Sequence, residues 1–377
     1  MPARPTFSVG LIGTGFMGKA HSNAWRQAPR FFDLAAEIRM TAICGRDRAV
    51  TSRAAKKLGW ESSTSDWRAV VADPGIDIVD ICTPNNLHAE IAIAAARAGK
   101  AVLCEKPLAR DAREAERMVE AVRRARVVNM VCHNYRRVPA IALAKQMIQA
   151  GEVGDQIYHF HARYAQDWIG NEKFPLVWRL QSRFAGSGAL GDIGAHVIDL
   201  ARYLVGEIDE VSATSETFVK SRPLEAKKSV RGRVDVDDAT AVIGKFRNGA
   251  LLNFEVTRFA HGRKNQLVFE INGSSGSVAF DLEEMNYLRF FRTADAIGRG
   301  GFRDILVTEP SHPYVARWWP PGHLIGYEHT FVHTIADFVN AVAAERTVRP
   351  NFADGLRNQR VMDAVMRSTR RRSCIKF

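Results

Sequence analysis

The sequence predicts an α/β protein, with a doubly wound parallel sheet first and then an α+β domain with a large, mainly antiparallel open sheet. Short apolar runs alternate with helical stretches up to about residue 135, after which strand pairs joined by turn signals dominate. At 377 residues the chain is too long for one ordinary core, so we expect two domains, residues 1–135 and 136–377. The prediction allows the C-terminal helices to pack back on the first domain.

The first third contains apolar runs with the length and composition of buried strands. The run around IDIVDIC is almost continuously apolar, as expected for a strand that is covered on both faces. Strands are predicted at FSVGLIG, MTAICG, IDIVDICTP, AVLCEKP and VNMVCHNYRR, and helices at KAHSNAWRQA, DRAVTSRAAKKLG, NLHAEIAIAAARAGK and REAERMVEAVRRARV.

The remainder of the chain begins with a helix at PAIALAKQMIQAGEVG and then turns to strands. IYHFHARYAQDW is a predicted strand, and Asn248-Gly249 within TAVIGKFRNGALLNFEVTRF is a strong hairpin signal. NQLVFEINGSSGSVAFDL resembles a second hairpin. The glycine- and proline-rich stretch 298–326 is predicted to be a long loop lining a site, and two helices end the chain, TFVHTIADFVNAVAAE and GLRNQRVMDAVMRSTRR.

Composition and charge exclude several classes of protein. No apolar run reaches the ~18 residues needed to cross a bilayer, and the N-terminus runs straight into a strand pattern, so we expect a cytoplasmic enzyme. The net charge of +12 is scattered apart from a C-terminal basic run, which argues against a nucleic-acid partner. The five cysteines show neither CxxC spacing nor paired Cys/His spacing, so neither a metal site nor a disulfide framework is expected.

A glycine motif between the first strand and the first helix indicates a dinucleotide-binding Rossmann domain. GLIGTGFMG contains G-x-G-x-x-G at Gly13, Gly15 and Gly18, in the strand–turn–helix context that this fingerprint requires. Gly13 permits the tight turn, Gly15 lets the backbone approach a pyrophosphate, and Gly18 lets helix and strand pack closely. Phe16 and Met17 are placed on the same cofactor-binding turn.

The end of the second strand bears on the choice between NAD and NADP. An acidic residue for the adenosine ribose is expected there, but AICGRDR has Gly45 at that position, followed by Arg46. An arginine beside a missing carboxylate favours a 2′-phosphate, and hence NADP. Asp47 keeps NAD open, since a strand end two residues later would place its carboxylate on the ribose. The choice between the two cofactors stays open.

Two further strand ends reach the edge where open α/β sheets bind ligands. CEKPLA places Glu105 and Lys106 there, and Pro107 keeps Lys106 out of helical geometry. Lys106 could hydrogen-bond a substrate hydroxyl, or could be an ordinary surface lysine before a turn. The other predicted cofactor-side residues, some of which could equally be helix-entry residues, are Thr83, Pro84, Asn85, His88 and Asn134.

The stretch GDIGAHVIDLARYL supports two interpretations. As a helix over 188–204 it presents an apolar stripe and a separate face carrying Asp192, His196, Asp199 and Tyr203. The pattern alone favours a solvated polar face with an i,i+4 Asp–His pair. The alternative is a helix that points Asp192 and His196 at a substrate.

Together, GTGFMG, TPNNLH, EKPLA and GDIGAHVID occur in the order typical of the Gfo/Idh/MocA oxidoreductases, which the chain resembles over nearly its whole length. EKP and D-x-x-x-H are the specific parts, and Gly45 departs from the Asp of many NAD-using members. The resemblance implies that Lys106, Asp192 and His196 meet at the sugar hydroxyl that is oxidised, with His196 as the base. It also places seven further residues near the substrate: Tyr135, Arg136, Gln166, Asp167, Trp168, Trp178 and Arg179. Each of them, taken singly, could equally have a packing or salt-bridge role.

The function that this resemblance implies is an NAD(P)-dependent dehydrogenase. It would move a hydride between nicotinamide and a ring carbinol of a sugar, anhydrosugar or cyclic polyol. The alternatives are an NADP-dependent keto-sugar reductase and a non-catalytic cofactor-binding sensor on the same fold. The sensor would be expected to have lost part of the Lys/Asp/His set, which is complete here. A homodimer or homotetramer built through the open sheet is also implied by the resemblance.

Overall fold

A computed structural model describes residues 4–226 and 228–377, which form two compact units. The first unit contains the chain up to Asn134 together with Gly326–Gln359, and the second contains Tyr135–Ile325 and Arg360–Phe377. The α/β fold class expected from the sequence is confirmed. The C-terminal helices are divided, since the first of them and the start of the second belong to the first unit.

The first unit is built on a six-stranded parallel sheet. Its strand order is β3-β2-β1-β4-β5-β6, the doubly wound order of dinucleotide-binding domains. Every residue of β4 and β5 is buried, which explains their continuously apolar sequence. The strands are β1 (Thr6–Ile12), β2 (Glu37–Cys44), β3 (Ser62–Thr64), β4 (Ile78–Ile81), β5 (Ala101–Cys104) and β6 (Asn129–Val131).

Helices follow the strands of this sheet and complete the unit. Those from the N-terminal part of the chain are α1 (Phe16–Phe31), α2 (Arg48–Leu58), α3 (Trp67–Ala72), α4 (His88–Arg97) and α5 (Ala112–Ala125). The unit also contains α9 (Tyr327–Ala343), which packs on α1 through a stacked pair of rings, Phe16 and Tyr327, and through His21 and Phe331. The first turns of α10 (Phe352–Arg371) complete the unit.

The second unit is built on a nine-stranded sheet of order β16-β15-β14-β13-β7-β12-β11-β8-β17. All neighbouring strands pair antiparallel except β7 and β12, which are parallel. The sheet is therefore mixed but mainly antiparallel, as predicted. Its strands are β7 (Ile157–Ala165), β8 (Ile208–Glu216), β11 (Ala239–Phe246), β12 (Leu251–Thr257), β13 (Gln266–Gly273), β14 (Gly276–Asp281), β15 (Tyr287–Arg292), β16 (Arg303–Leu306) and β17 (Ile375–Lys376).

Three helices of its own, the last turns of α10 from Arg360 onward, and a short ribbon accompany this sheet. The helices are α6 (Pro139–Gln149), α7 (Ser182–Ala185) and α8 (Ala195–Leu204), and α8 packs against β7 and α6. The ribbon pairs β9 (Ser221–Pro223) with β10 (Arg231–Arg233). Burial alternates along β11 and β12, as expected for a sheet with one covered face.

Several sequence predictions need correction. VNMVCHNYRR is a strand only over Asn129–Val131, because a 3₁₀ turn begins at Asn134. The long loop 298–326 contains the edge strand β16 and a 3₁₀ turn at Val315–Arg317. The short elements β3, α3, β9 and β10 were not expected, because each has too few residues to show a periodic pattern. In the part of the chain that the structure describes, no helix has both the length and the apolar character needed to span a membrane.

Candidate active site

The glycine turn of the first unit has the geometry that the sequence predicts. Gly13 adopts φ +123°, and a Cβ there would overlap the carbonyl of Cys82, so only glycine fits. A Cβ on Gly18 would overlap the carbonyl oxygen of Gly13, which explains the close approach of α1 to the turn. Gly15 is the N-cap of α1, and a Cβ built on it meets no atom within 4 Å.

The end of β2 shows why no carboxylate follows this strand directly. A Cβ on Gly45 would lie 2.5 Å from Thr51 Oγ1 and 2.8 Å from Thr14 Cγ2, so an aspartate does not fit without a shift. Arg46 is exposed at the surface. The Asp47 carboxylate caps α2 by accepting a 2.8 Å hydrogen bond from the Val50 amide, so it is already engaged as a helix cap.

The loops after β4 and β5 are tied together by His88. Its Nδ1 lies 3.0 Å from the carbonyl oxygen of Pro107, and its Nε2 lies 2.9 Å from that of Thr83. Burial lowers the pKa of His88, although its hydrogen bonds to the carbonyls of Thr83 and Pro107 act in the opposite direction. His88 is fully buried and connects these two loops, and its predicted place on the cofactor side stays a prediction.

Glu105 and Lys106 directly follow β5, as predicted. Lys106 is partly exposed, whereas Glu105 is buried and accepts a hydrogen bond from the Lys106 amide (3.2 Å). The other Glu105 oxygen lies 2.9 Å from Nε2 of His21. Of this pair, Glu105 therefore belongs to a buried network, and Lys106 is the residue that is partly exposed. Asn85 and Asn134 are also buried, and the Asn134 side-chain amide donates a hydrogen bond to Thr330 Oγ1 (2.8 Å).

The strand-end edge of the first unit fits a dinucleotide. The backbone at Gly15 is open to close approach, the N-cap of α1 is a glycine without a side chain, and the helix N-terminus favours an anion. Thr83 contributes a buried Oγ1 that has no hydrogen-bond partner among residues 4–226 and 228–377. An open phosphate-binding turn and an unsatisfied hydroxyl are features that a bound dinucleotide would complete.

In the second unit, the segment carrying Asp192 and His196 begins with a π-helical turn, Leu190–Gly194, and continues as α8. Asp237 anchors its start, because its carboxylate oxygens accept hydrogen bonds from the amides of Gly188 (2.6 Å) and Leu190 (2.7 Å). A Cβ on Gly188 would overlap the carbonyl of Asp237. The helix is therefore fixed at its start, and π-helical turns are frequent at functional sites.

Asp192 lies between two arginines. Its Oδ2 is 3.5 Å from Nη1 of Arg258, and its Oδ1 is 3.7 Å from Nε of Arg179. The Arg258 side chain is fully buried, and the Asp192 side chain is 19% exposed. Arg179 in turn stacks on Trp178, with its guanidinium carbon 4.4 Å from the ring centroid. Two cationic neighbours therefore restrict the orientation of the Asp192 carboxylate.

His196 packs against a set of hydrogen-bonded polar side chains that we call the polar ladder. Its ring centroid lies 4.4 Å from that of Tyr135 and 6.2 Å from that of Tyr164. The hydroxyls of these tyrosines are 2.9 Å apart, and Tyr164 donates to Asn265 Oδ1 (2.8 Å). Gln166 donates to the same oxygen and accepts from Trp168, so the ladder comprises Tyr135, Tyr164, Asn265, Gln166 and Trp168.

Two residues predicted to contact substrate have other partners. The buried Arg136 guanidinium donates two hydrogen bonds to Asp199, at 2.7 and 2.6 Å. Arg136 lies in the turn just before α6, so this ion pair links that turn to α8. Asp199 is 1% exposed, so the interpretation of this helix face as solvated surface is wrong. Asp167 accepts from Lys264 Nζ (2.8 Å), and this hydrogen bond lowers the pKa of Asp167.

Six residues with clear roles in the structure were not predicted from the sequence: Tyr164, Asn265, Arg258 and Asp237 in the second unit, and His21 and Asp80 in the first. Asp80 offered a signal, because a carboxylate inside the apolar strand IDIVDIC must find a buried partner. Arg258 offered a weaker one, since it directly follows the alternating strand β12. Asn265 offered none, because its role depends on the pairing of β13 with β7.

Comparisons with known proteins agree with this geometry. Residues 7–133 match the oxidoreductase family with an NAD-binding Rossmann fold, and residues 141–279 match the Gfo/Idh/MocA C-terminal domain. Levoglucosan dehydrogenase of Pseudarthrobacter phenanthrenivorans is 45% identical, over 98% of this chain and 97% of that protein.

Solved structures are similar over the same length. An oxidoreductase domain protein from Kribbella flavida superimposes with a TM-score of 0.95 at 52% identity, covering 99% of each chain. A levoglucosan dehydrogenase in complex with NADH and levoglucosan gives a TM-score of 0.95 at 46% identity, covering 98% of this chain and 99% of that one. The resemblance inferred from the motifs is confirmed: the chain belongs to the Gfo/Idh/MocA family and is an oxidoreductase with an NAD-binding Rossmann domain.

Proposed function

We propose that the protein is an NAD(P)-dependent dehydrogenase that oxidises a ring carbinol of a cyclic sugar or anhydrosugar. Levoglucosan is the first substrate to test, because a relative with 45% identity over nearly the full length bears that name. The family resemblance supports the reaction class, and the chemistry of the second unit supports the substrate class.

The polar ladder beside His196 is the observation that carries this proposal. Its phenol, amide and indole groups can exchange hydrogen bonds with neutral hydroxyls, and its aromatic rings suit the apolar faces of a sugar ring. The predicted contacts Tyr135, Gln166 and Trp168 all belong to it. Trp168 also lies beside Arg258, whose guanidinium carbon is 5.6 Å from the centroid of the Trp168 ring. The ladder is therefore next to one of the two arginines that contact Asp192.

The proposed chemistry assigns one role to each of three residues. His196 accepts the hydroxyl proton as the C–H bond breaks and the carbinol becomes a carbonyl. Lys106 stabilises the negative charge that develops on the oxygen. Asp192, held by Arg179 and Arg258, orients the substrate and the imidazole. When bound, the nicotinamide supplies the hydride acceptor, so the products are a keto-sugar, reduced cofactor and a proton.

The choice between NAD and NADP remains part of this proposal. Two observations favour NADP: Gly45 leaves no room for a ribose-binding carboxylate, and the neighbouring Arg46 is exposed. The family description and the NADH complexes of similar proteins favour NAD. We propose NAD as the working cofactor, with Arg46 as the residue that would permit NADP.

The test is a screen of purified protein against sugars, anhydrosugars and cyclic polyols with NAD and NADP, in both directions. Oxidation of levoglucosan or a related ring carbinol supports the proposal. Faster reduction of keto-sugars with NADPH would instead identify a reductase. Cofactor binding without turnover of any substrate would identify a sensor and overturn the proposal.

Single variants test the assigned roles. His196→Ala and Lys106→Ala should each lower kcat by about 10²–10⁴-fold, the usual value of a positioned acid–base group. His161→Ala is the matched control, because His161 is an exposed histidine of the same unit, and its kcat should stay within about twofold. Near-normal turnover in a folded His196→Ala protein would contradict the mechanism.

A further inference from the structure

A buried charged cluster lies beneath the Glu105–Lys106 turn of the first unit. His21 Nδ1 is 2.9 Å from Asp80 Oδ2, and His21 Nε2 is 2.9 Å from Glu105 Oε1. All three side chains are almost fully buried, at 1%, 0% and 4% exposure for His21, Asp80 and Glu105. The three residues come from α1, β4 and the end of β5, so the cluster joins three elements of the unit.

The hydrogen-bond partners define the charge of this cluster. Asp80 Oδ2 also accepts from the Trp25 indole (2.7 Å), and Glu105 Oε2 accepts from the Lys106 amide (3.2 Å). Both carboxyl groups therefore act as acceptors on two sides, which fits their ionised forms. A neutral imidazole has one N–H and can serve only one carboxylate, so two such partners require the imidazolium form of His21.

The surroundings of His21 support the same charge. Burial opposes its charged form, but the Asp80 carboxylate raises the pKa of His21 well above its ordinary value. Burial alone would raise the pKa of Glu105, but the hydrogen bond from His21 lowers it. The other groups facing the ring are the thiols of Cys82 and Cys132 and the ring of Phe331.

The same side chains could be considered as metal ligands, since His21, Asp80, Cys82, Glu105 and Cys132 lie close together. The separations of 2.9 Å between His21 nitrogens and carboxylate oxygens are ordinary N–H···O lengths. A hydrogen-bonded charge cluster therefore accounts for these two separations.

We propose that His21 is a positioning residue, a buried imidazolium that clamps Glu105 and thereby holds the adjoining Lys106 in place for hydride transfer. Glu105 is held at both oxygens, by His21 on one side and by the Lys106 amide on the other. The clamp anchors this turn to α1 and, through Asp80, to β4. The kinetic part of the proposal rests on the function proposed above for Lys106.

The charge of His21 can be measured without reference to catalysis. In protein labelled with ¹⁵N-histidine, one imidazole should keep protons on both nitrogens at pH 8, where ordinary histidines are neutral. His21→Gln identifies its signals by their loss. A neutral His21 at pH 7 would overturn the proposal, whatever the enzyme's substrate proves to be.

Kinetics test the positioning role. His21→Gln should lower kcat by about 10–100-fold, where kcat is calculated per NADH-binding site. The KM for the sugar and the Kd for NADH should change by less than about threefold. His333→Gln is the control, since it also places an amide at a buried histidine position of this unit, in α9. A wild-type kcat in His21→Gln, or an equal loss in His333→Gln, would overturn the positioning role.

A second variant covers the case in which His21→Gln does not fold. Glu105→Gln keeps the size of the side chain and removes its charge, so it weakens the same clamp and should give a similar loss of kcat with unchanged Kd for NADH. Unchanged kcat in this variant would count against the clamp. If Lys106→Ala turns over normally, the proposed function fails, while the doubly protonated His21 would still be observed.

Discussion

Gly15 offers a substitution that should separate cofactor binding from stability. Its backbone is extended (φ −73°, ψ −158°), a conformation that any residue adopts, and a Cβ there meets no atom within 4 Å. Gly15→Val therefore introduces no clash into the folded chain. Replacing glycine at a helix N-cap should lower the free energy of unfolding by about 1 kcal/mol or less.

The effect on cofactor affinity should be much larger. The branched side chain would occupy the space through which a pyrophosphate approaches the backbone amides at the start of α1. Each charge-assisted hydrogen bond of this kind contributes about 1.5–3 kcal/mol, so losing one or two of them should weaken binding by about 3 kcal/mol. That corresponds to an increase in Kd for NADH of at least about 100-fold. Fluorescence titration with NADH measures Kd, and urea denaturation of the cofactor-free protein measures stability.

Gly59 provides the matched control with the opposite expectation. It ends α2 at φ +82°, and a Cβ there also meets no atom within 4 Å. Gly59→Ala should cost about 1 kcal/mol of stability through left-handed backbone strain, with Kd for NADH unchanged within about twofold. Wild-type NADH affinity in Gly15→Val would refute the assignment of the glycine turn as the phosphate-binding site.

Four further outcomes are expected. Asp199→Asn should lower the free energy of unfolding by about 3–5 kcal/mol in urea denaturation, because it leaves the buried Arg136 without its charged partner; an unchanged midpoint would contradict this. Arg46→Ala should weaken NADP binding at least about tenfold more than NAD binding if Arg46 contacts a 2′-phosphate, and equal losses in parallel titrations would exclude that contact. Thiol alkylation of the native protein at pH 8 should modify Cys374 first, since it is exposed while burial raises the pKa of Cys44 to about 11; mass spectrometry of peptides gives the order. The stability difference between wild type and His21→Gln should be largest between about pH 4.3 and 6.5. It should decrease from about pH 6.5 upward and be lost as the pH rises through the raised pKa of His21, and it should decrease below about pH 4.3 as Glu105 protonates; a difference that does not vary with pH would contradict the charged clamp.

The sequence was sufficient for the fold wherever an element is long or carries a turn signal. The continuously apolar β4 and β5, the glycine turn, and the hairpin at Asn248-Gly249 all follow from local pattern. The short strands β3, β9 and β10 could not be predicted, because pairing with a partner strand stabilises them more than their own residues do. Nor could the parallel pairing of β7 with β12 be read from alternation, which is the same in both orientations.

The candidate site divides in the same way. Gly13, Gly18 and the EKP turn were identified because each lies in a local sequence motif, even though the atoms that require glycine at position 13 belong to Cys82. Arg136 was assigned to substrate, yet its partner is Asp199, more than sixty positions away. Local sequence shows that a charged group is present, but the tertiary fold determines what neutralises it. The same reason explains why His21, a single polar residue within a helix, gave no signal of its two carboxylate partners.

The division of the first unit between the two ends of the chain affects how the protein is made. When Asn134 leaves the ribosome, the sheet strands are present, but α9 and the start of α10 are still to be translated. At about 5–20 residues per second, synthesis of Tyr135–Ile325 delays them by roughly 10–40 s. During that interval the face of α1 that will hold Phe16 against Tyr327 has no partner. The nascent N-terminal segment is therefore exposed to chaperones for longer than the second unit, and premature termination before residue 326 should yield a product that cells degrade.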